Sequence, residues 1–305
     1  MIEEFLSMFS FGANWGVLVA LELFLAGLGA GAYIVGSSID LFGEKSWRRL
    51  AFAGALMSWP MVGVGLGILI IDLGRPELNT PSHLMNVFNN LSSMMTIGST
   101  LLTMFLAISL LTTVFWVFKW HESLLRSIIE IAGISLGFGV ALYPGLLLAF
   151  ARGRVFWASP FLPWLFLVSA ICTGLALVGL AETWLGRILF PFFSTGTEDA
   201  MIELSRTLRF GILAKLLILT LYVISVWQTK EVLTVLMGRL APFFWAAVAG
   251  GLLIPFAIEE YGERVLKETG LRPIIYSRIS ATISFILVLL GGILLRYAIL
   301  IGGQI

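Results

Sequence analysis

Residues 137–174, GFGVALYPGLLLAFARGRVFWASPFLPWLFLVSAICTG, decide the fold of this chain. Two apolar limbs flank a polar break, ARGRVFWASP, at residues 151–160. Arg152 and Arg154 cannot rest in hydrocarbon, while Trp157, Pro160 and Trp164 suit the interface at which a membrane-crossing chain reverses. The pattern predicts a transmembrane helical hairpin. Within its first limb Tyr143 sits about eight residues, or roughly 12 Å at the helical rise, below that turn. Pro144 follows directly and releases a backbone carbonyl from the helix ladder. A phenol at such depth needs a polar partner. Taken alone, Tyr143 is an interfacial tyrosine set unusually far inward, so its meaning depends on what stands opposite.

The rest of the chain is of the same character. Its 305 residues are 59% hydrophobic and only 12% charged, with a mean hydropathy of +0.99. That is too apolar for a soluble domain of this length. An all-α polytopic membrane protein is expected, in contact with the lipid bilayer and with no nucleic acid. A single cysteine, Cys172, lies in an apolar run and offers no disulfide and no cluster ligation. The two histidines, His83 and His121, fall in polar connections, which argues against a haem held between helices and against zinc. The expectation is no haem and no metal in this chain, with any redox centre on a partner. The start, MIEEFLSMF, is acidic where a secretory signal is basic, so the first apolar run is expected to be retained.

A span needs about 20 apolar residues. By that measure the sequence predicts eight transmembrane helices, at 14–37, 50–71, 94–118, 127–151, 161–185, 210–228, 243–258 and 279–301. The seventh is the shortest and contains Pro255, which predicts a kink or an extension beyond Glu259. Two four-helix bundles are expected. A division follows into residues 1–185, carrying helices one to five, and residues 186–305, carrying helices six to eight. Between them PFFSTGTEDAMIELSRTLR, residues 191–209, mixes start signals with apolar and charged positions and predicts an amphipathic helix on the inner face. Gly27, Gly29 and Gly31, Gly63, Gly65 and Gly67, Gly133, Gly137 and Gly139, and Gly291 and Gly292 are read as packing glycines, which let backbones approach in lipid.

Lys and Arg in the connections divide twelve to five between the two sides. Positive connections face the cytoplasm. Both termini are therefore expected on the outer side of the cell membrane, together with Asp72, Arg75 and the 151–160 break. Within the spans, Lys215 and Arg296 lie about five residues from a helix end, close enough for their stems to snorkel. Glu130, Glu182 and Glu259 lie within about a turn of the inner end and are expected to reach water. Glu22 differs, because it stands some eight residues, roughly 12 Å, inside the outer face. A glutamate cannot snorkel that far, so it must be paired, hydrated or protonated.

By this topology Glu22 on helix one and Tyr143 on helix four share one depth below one surface. Asp72, in IIDLGRPELN, closes helix two at the same face. Gly74 and Pro76 suit a helix stop, yet Asp72 and Arg75, beside His83, also stand at the mouth of the same bundle. A quinone ring entering from lipid needs a hydrogen-bond donor and a group that exchanges protons as electrons move. Tyr143 supplies the first and Glu22 the second, and Asp72, Arg75 and His83 offer a way to outside water.

Four motifs in order, LELFLAGLGAGAY, IIDLGRP, ALYPGLLLAF with RVFWASPFLPWLFLVSAICTG, and GGILLRYAILIGGQ, resemble the NrfD/PsrC family along nearly the whole chain. That family comprises integral membrane subunits of polysulfide-reductase-type and related quinone-linked oxidoreductase complexes. The resemblance implies eight helices without haem and a bound quinone, menaquinone or similar, near Glu22 and Tyr143 with Asp72 close by. Arg75, His83 and Arg154 join this binding set as flanking polar groups. It also implies a ferredoxin-like partner bearing 4Fe–4S clusters on the outer face, and a molybdopterin or multihaem catalytic subunit beyond it. On this reading the chain acts in anaerobic respiratory electron transport as one subunit of an enzyme complex. The alternatives are a proton-conducting or transport module, which would need polar groups through a bilayer middle that holds little beyond Tyr222, and an inert anchor.

Overall fold

The computed structural model describes residues 15–72, 94–118, 124–151, 153–189, 197–269 and 279–305. Every long element among them is helical, and eight are long and apolar enough to cross a membrane. In chain order they are α1 (Val17–Phe42), α2 (Arg48–Asp72), α3 (Met94–Val117), α4 (Leu124–Ala149), α5 (Phe161–Leu189) and α6 (Thr197–Ser225). A short α7 (Lys230–Leu236) precedes α8 (Ala241–Val248), which continues through a π-helical turn, Ala249–Leu253, into α9 (Ile254–Thr269). The last is α10 (Ala281–Gly302).

The eight-span expectation holds, with two local differences. The connection expected to be a separate amphipathic helix is, from Thr197 onward, the opening of α6, one helix of 29 residues. Its exposed charges sit where the helix leaves the apolar layer, so no break is required. The seventh span is not merely kinked at Pro255. Proline cannot bond the carbonyl four residues back, that of Gly251, and the π turn over Ala249–Leu253 absorbs the missing bond.

α1 and α5 occupy the middle, each with 72% of its most apolar window buried. α1 packs on α2, α4, α5 and α10, and α5 on α1, α2, α4, α6 and α10. Small residues permit this. A methyl group added at Gly174 would stand 2.6 Å from the Gly31 carbonyl oxygen, so α1 and α5 cross with backbone on backbone. Gly36 and Gly54 do the same for α1 and α2, with 2.6 Å between an added methyl at Gly54 and the Gly36 Cα. Large apolar side chains such as Ile131, Phe138, Leu217 and Ile224 point outward, as lipid contact requires.

The two ends of the bundle are fastened differently. One end carries the 151–160 turn, where Gly153 at φ 83° takes the left-handed backbone that glycine adopts freely. There Trp157 donates from Nε1 to the Ile299 carbonyl at 2.9 Å and stacks on Trp15, with ring centroids 5.5 Å apart. Gln304 accepts from the Trp15 amide at 2.9 Å and donates to its carbonyl at 3.1 Å. The opposite end is tied by charge: Arg49 to Glu182 at 2.9 Å, Arg209 to Glu260 at 2.7 Å and also to Glu263, and Arg126 to Asp40.

Candidate functional site

Glu22 lies in the second turn of α1, near the turn end, and is only 4% exposed. α2 crosses closely here, because an added methyl at Gly65 would stand 3.4 Å from the Glu22 carbonyl oxygen. Tyr143 on α4 is also buried, at 8% exposure, and the Glu22 charge acts on its hydroxyl. The two residues that the sequence sets at one depth are thus brought together. α3 makes room for the phenol: a methyl group at Gly98 would overlap the Tyr143 ring and hydroxyl. An added methyl at Gly145 would stand 2.7 Å from the Pro163 nitrogen, so α4 and α5 meet closely two residues from Tyr143.

A third member is Arg296 of α10, which does not snorkel. It is 1% exposed, and its Nη1 donates to the Phe24 carbonyl at 3.3 Å. The guanidinium lies 5.4 Å from the ring centroids of both Phe24 and Phe166, and the Glu22 charge acts on it. Its Nε and Nη2 have no hydrogen-bond partner among the described residues. Gly27 clears its path, since an added methyl there would stand 2.5 Å from Nη2. Sequence reasoning passed over Arg296 because length alone allowed it to reach an interface. The missed signal was that a cation on the last helix and an acid on the first stand at similar depth, beside the small pair Gly291–Gly292. Lys215 of α6 is likewise 1% exposed rather than snorkelled, and lies within electrostatic reach of Arg296 and of Cys172.

The remaining predicted residues divide. Asp72 is the last described residue of α2, at the turn end, and the helix stop expected at Gly74 and Pro76 lies outside the described residues. The Asp72 side chain, Arg75 and His83 lie outside the described residues. Arg154 is committed elsewhere: its Nη1 donates to the Gly303 carbonyl at 3.1 Å, a cation at a helix C-terminus, and its guanidinium lies 5.9 Å from the Trp157 ring centroid. Tyr222 is not at mid-bilayer. It sits near the turn end of α6 and donates to the Phe156 carbonyl at 3.0 Å. Glu130, Glu182 and Glu259, expected to reach water, are all buried. Glu182 pairs with Arg49 of α2, Glu130 lies beside Arg126 one turn earlier on α4, and Glu259 has Ser205 of α6 and Ser284 of α10 as neighbours.

Beside Tyr143 along α4, on an adjacent face, an apolar groove of about 430 Å³ opens between α4 and α5, lined by Leu142, Leu146, Phe150, Pro160, Pro163 and Trp164. Among the described residues no group of three or more His, Cys, Asp or Glu side chains is placed to hold a metal ion. The bundle interior thus holds a hydroxyl, a carboxylate and a guanidinium that act on one another, and the groove, lined by none of the three, begins at Leu142 next to Tyr143 in the chain.

The family model described as Polysulphide reductase, NrfD, matches residues 8–305. The C subunit of polysulfide reductase from Wolinella succinogenes is 32% identical over 321 aligned residues, which cover 95% of this chain and 94% of that protein.

Proposed function

From the premise that this chain belongs to the NrfD polysulphide reductase family, we propose that it is the quinone-binding subunit of a respiratory oxidoreductase complex in the cell membrane. Membership makes it a multi-pass membrane subunit of such a complex. The convergence of Glu22, Tyr143 and Arg296 at one buried place carries the finer reading.

Oxidation of a quinol releases two electrons and two protons. Tyr143 donates a hydrogen bond to one ring oxygen and fixes the ring's orientation. Glu22 accepts the two ring-hydroxyl protons in turn, one with the departure of each electron, and passes the first toward the turn end before it takes the second. Arg296 holds a positive charge beside Glu22 throughout, which keeps the carboxylate available between turnovers. Phe24 and Phe166 exclude water around that cation and strengthen its effect. The groove between α4 and α5 accommodates an isoprenoid tail. Asp72, Arg75 and His83, which follow α2 in the sequence, take the protons onward to outside water. Arg154 serves the site through the turn it braces. Reduction of a quinone uses the same groups in reverse.

The electrons pass to 4Fe–4S clusters of a ferredoxin-like subunit docked on the turn end, and from there to a molybdopterin or multihaem catalytic subunit. A menaquinone-type carrier is proposed. The turn end, with both termini, faces outward, since the cation-rich connections sit at the other end.

The test is Glu22→Gln in the complex purified through a tag on this chain. Quinol-dependent electron flow is expected to be lost while the partner subunits still co-purify. Unchanged turnover, or a complex that neither binds quinone analogues nor is inhibited by them, would overturn the reading.

A further inference from the structure

α1 carries a second acid, Asp40, 18 residues from Glu22 and so roughly 27 Å away along the helix, at the opposite end of the bundle. Asp40 is paired with Arg126, the third residue of α4, and both side chains are buried, at 3% and 5% exposure. One turn further along α4, Glu130 has no exposure at all. Its Oε1 is 3.7 Å from the Arg126 Nε, an ion-pair distance without a hydrogen bond, and no well-formed hydrogen bond reaches either of its oxygens, although the Asp40 carboxyl and the Trp116 side chain stand close to it. α3 covers the group: the Arg126 guanidinium lies 4.6 Å from the centroid of Trp116. One turn before it in sequence, Thr112 shares a 2.7 Å hydrogen bond with the Tyr33 hydroxyl of α1. Tyr33 packs over Gly133 of α4, and the Glu130 charge acts on its hydroxyl.

Two carboxyl groups here face one guanidinium. With both ionised, the cluster would hold an uncompensated negative charge away from water and from lipid headgroups, at a cost of several kcal/mol. With one proton it is neutral. A proton on either acid turns one of its oxygens into a donor toward the other carboxylate and removes the charge that burial penalises. We propose that Asp40, Arg126 and Glu130 form a one-proton site, shared between the two carboxyl groups, that exchanges with the solution at the end of the membrane opposite Glu22. Tyr33 and Thr112 are its hydroxyl extension toward the middle of the bundle. Elsewhere at that end Arg49 pairs with Glu182, and Arg206, Arg209 and Arg264 pair with Glu203, Glu260 and Glu263 on α6 and α9; Glu259 is buried on α9, Glu44 and Lys45 are exposed just after α1, and Arg48 is half-buried at the start of α2. The inference stands apart from the quinone reading, because it rests on the charge balance of residues remote from Glu22.

The experiment is infrared difference spectroscopy of the purified complex in H2O and D2O, comparing the native chain with Glu130→Gln and with Asp40→Asn. A protonated-carboxyl C=O band that shifts in D2O is expected in the native protein and is lost in one of the two variants; the variant that loses it identifies the proton's main residence. Thermal unfolding of the same samples supplies a second reading. Glu130→Gln replaces a neutral acid by a neutral amide and is expected to leave the midpoint nearly unchanged, whereas Arg126→Gln lowers it strongly. If both carboxyl variants keep the native band, no proton is held here. If Glu130→Gln destabilises the complex as much as Arg126→Gln, Glu130 is an ionised partner of Arg126 and the proposal fails.

Discussion

Arg296 donates to the carbonyl oxygen of Phe24 across the α1–α10 contact, at 3.3 Å, and so places the last helix's one cation two residues from the first helix's buried acid. Two ends of the chain, 272 residues apart, are joined beside the acid to which the proposed function gives proton exchange. In hydrocarbon each charge alone would cost several kcal/mol, and together they compensate.

That coupling gives the first prediction. Arg296→Gln removes the cation on which the Glu22 charge acts and is expected to destabilise the complex by about 3–5 kcal/mol. Glu22→Gln combined with Arg296→Gln removes both charges and is expected to cost clearly less than the two single changes added together. A double-mutant cycle on thermal or denaturant unfolding measures it. Simple additivity would show that the two groups do not interact.

The second prediction concerns the phenol. Tyr143→Phe deletes one oxygen and no bulk, so the fold is expected to persist. A lost hydrogen bond of about 1–3 kcal/mol converts to roughly a ten- to hundredfold fall in kcat/KM for quinol. Gly98→Ala is expected to produce a similar loss with the hydroxyl still present, because the added methyl would displace the ring. Tyr143→Phe at full activity would remove the hydroxyl from the mechanism.

The sequence made the layout of the fold readable for a physical reason. A span must be apolar for its whole length, so helix number and hairpin turns show directly in composition, as in residues 137–174. Glu22 and Tyr143 were legible because a short carboxylate and a phenol cannot escape from such depth. Arg296, Lys215 and Glu130 were not, because each is long enough or near enough to a helix end to reach water. Only the packing of neighbouring helices shows that they do not. Gly98 carried no signal of its own, since its role is to be empty beneath a ring on another helix.

The third prediction tests the central crossing. Gly31→Ala or Gly174→Ala would drive a methyl into backbone on α5 or α1. Overpacking of this kind is expected to cost about 1–3 kcal/mol and to lower the yield of assembled complex. Gly67→Ala is the matched control on α2, where an added methyl meets nothing within 4 Å. Equal thermal midpoints for all three variants would contradict the crossing.

The clasp at the turn end gives the last prediction. Trp157 joins three segments at once: its indole stacks on Trp15 at the head of α1, its Nε1 holds the Ile299 carbonyl of α10, and its own backbone belongs to the turn between α4 and α5. Glu22, Arg296 and Tyr143 stand just inside those three segments. Trp157→Phe keeps a ring to stack but drops the hydrogen bond, and is expected to cost about 0.5–1.5 kcal/mol. Trp157→Ala removes the ring as well, and a cavity of that size costs about 3–5 kcal/mol in a packed core. Hydrogen exchange at the amides of residues 299–304 should therefore quicken slightly in the first variant and strongly in the second. Quinol turnover should fall in the same order, because loosening α1 and α10 separates the acid from its cation. Rapid exchange with undiminished turnover would show that the site holds its geometry without the clasp.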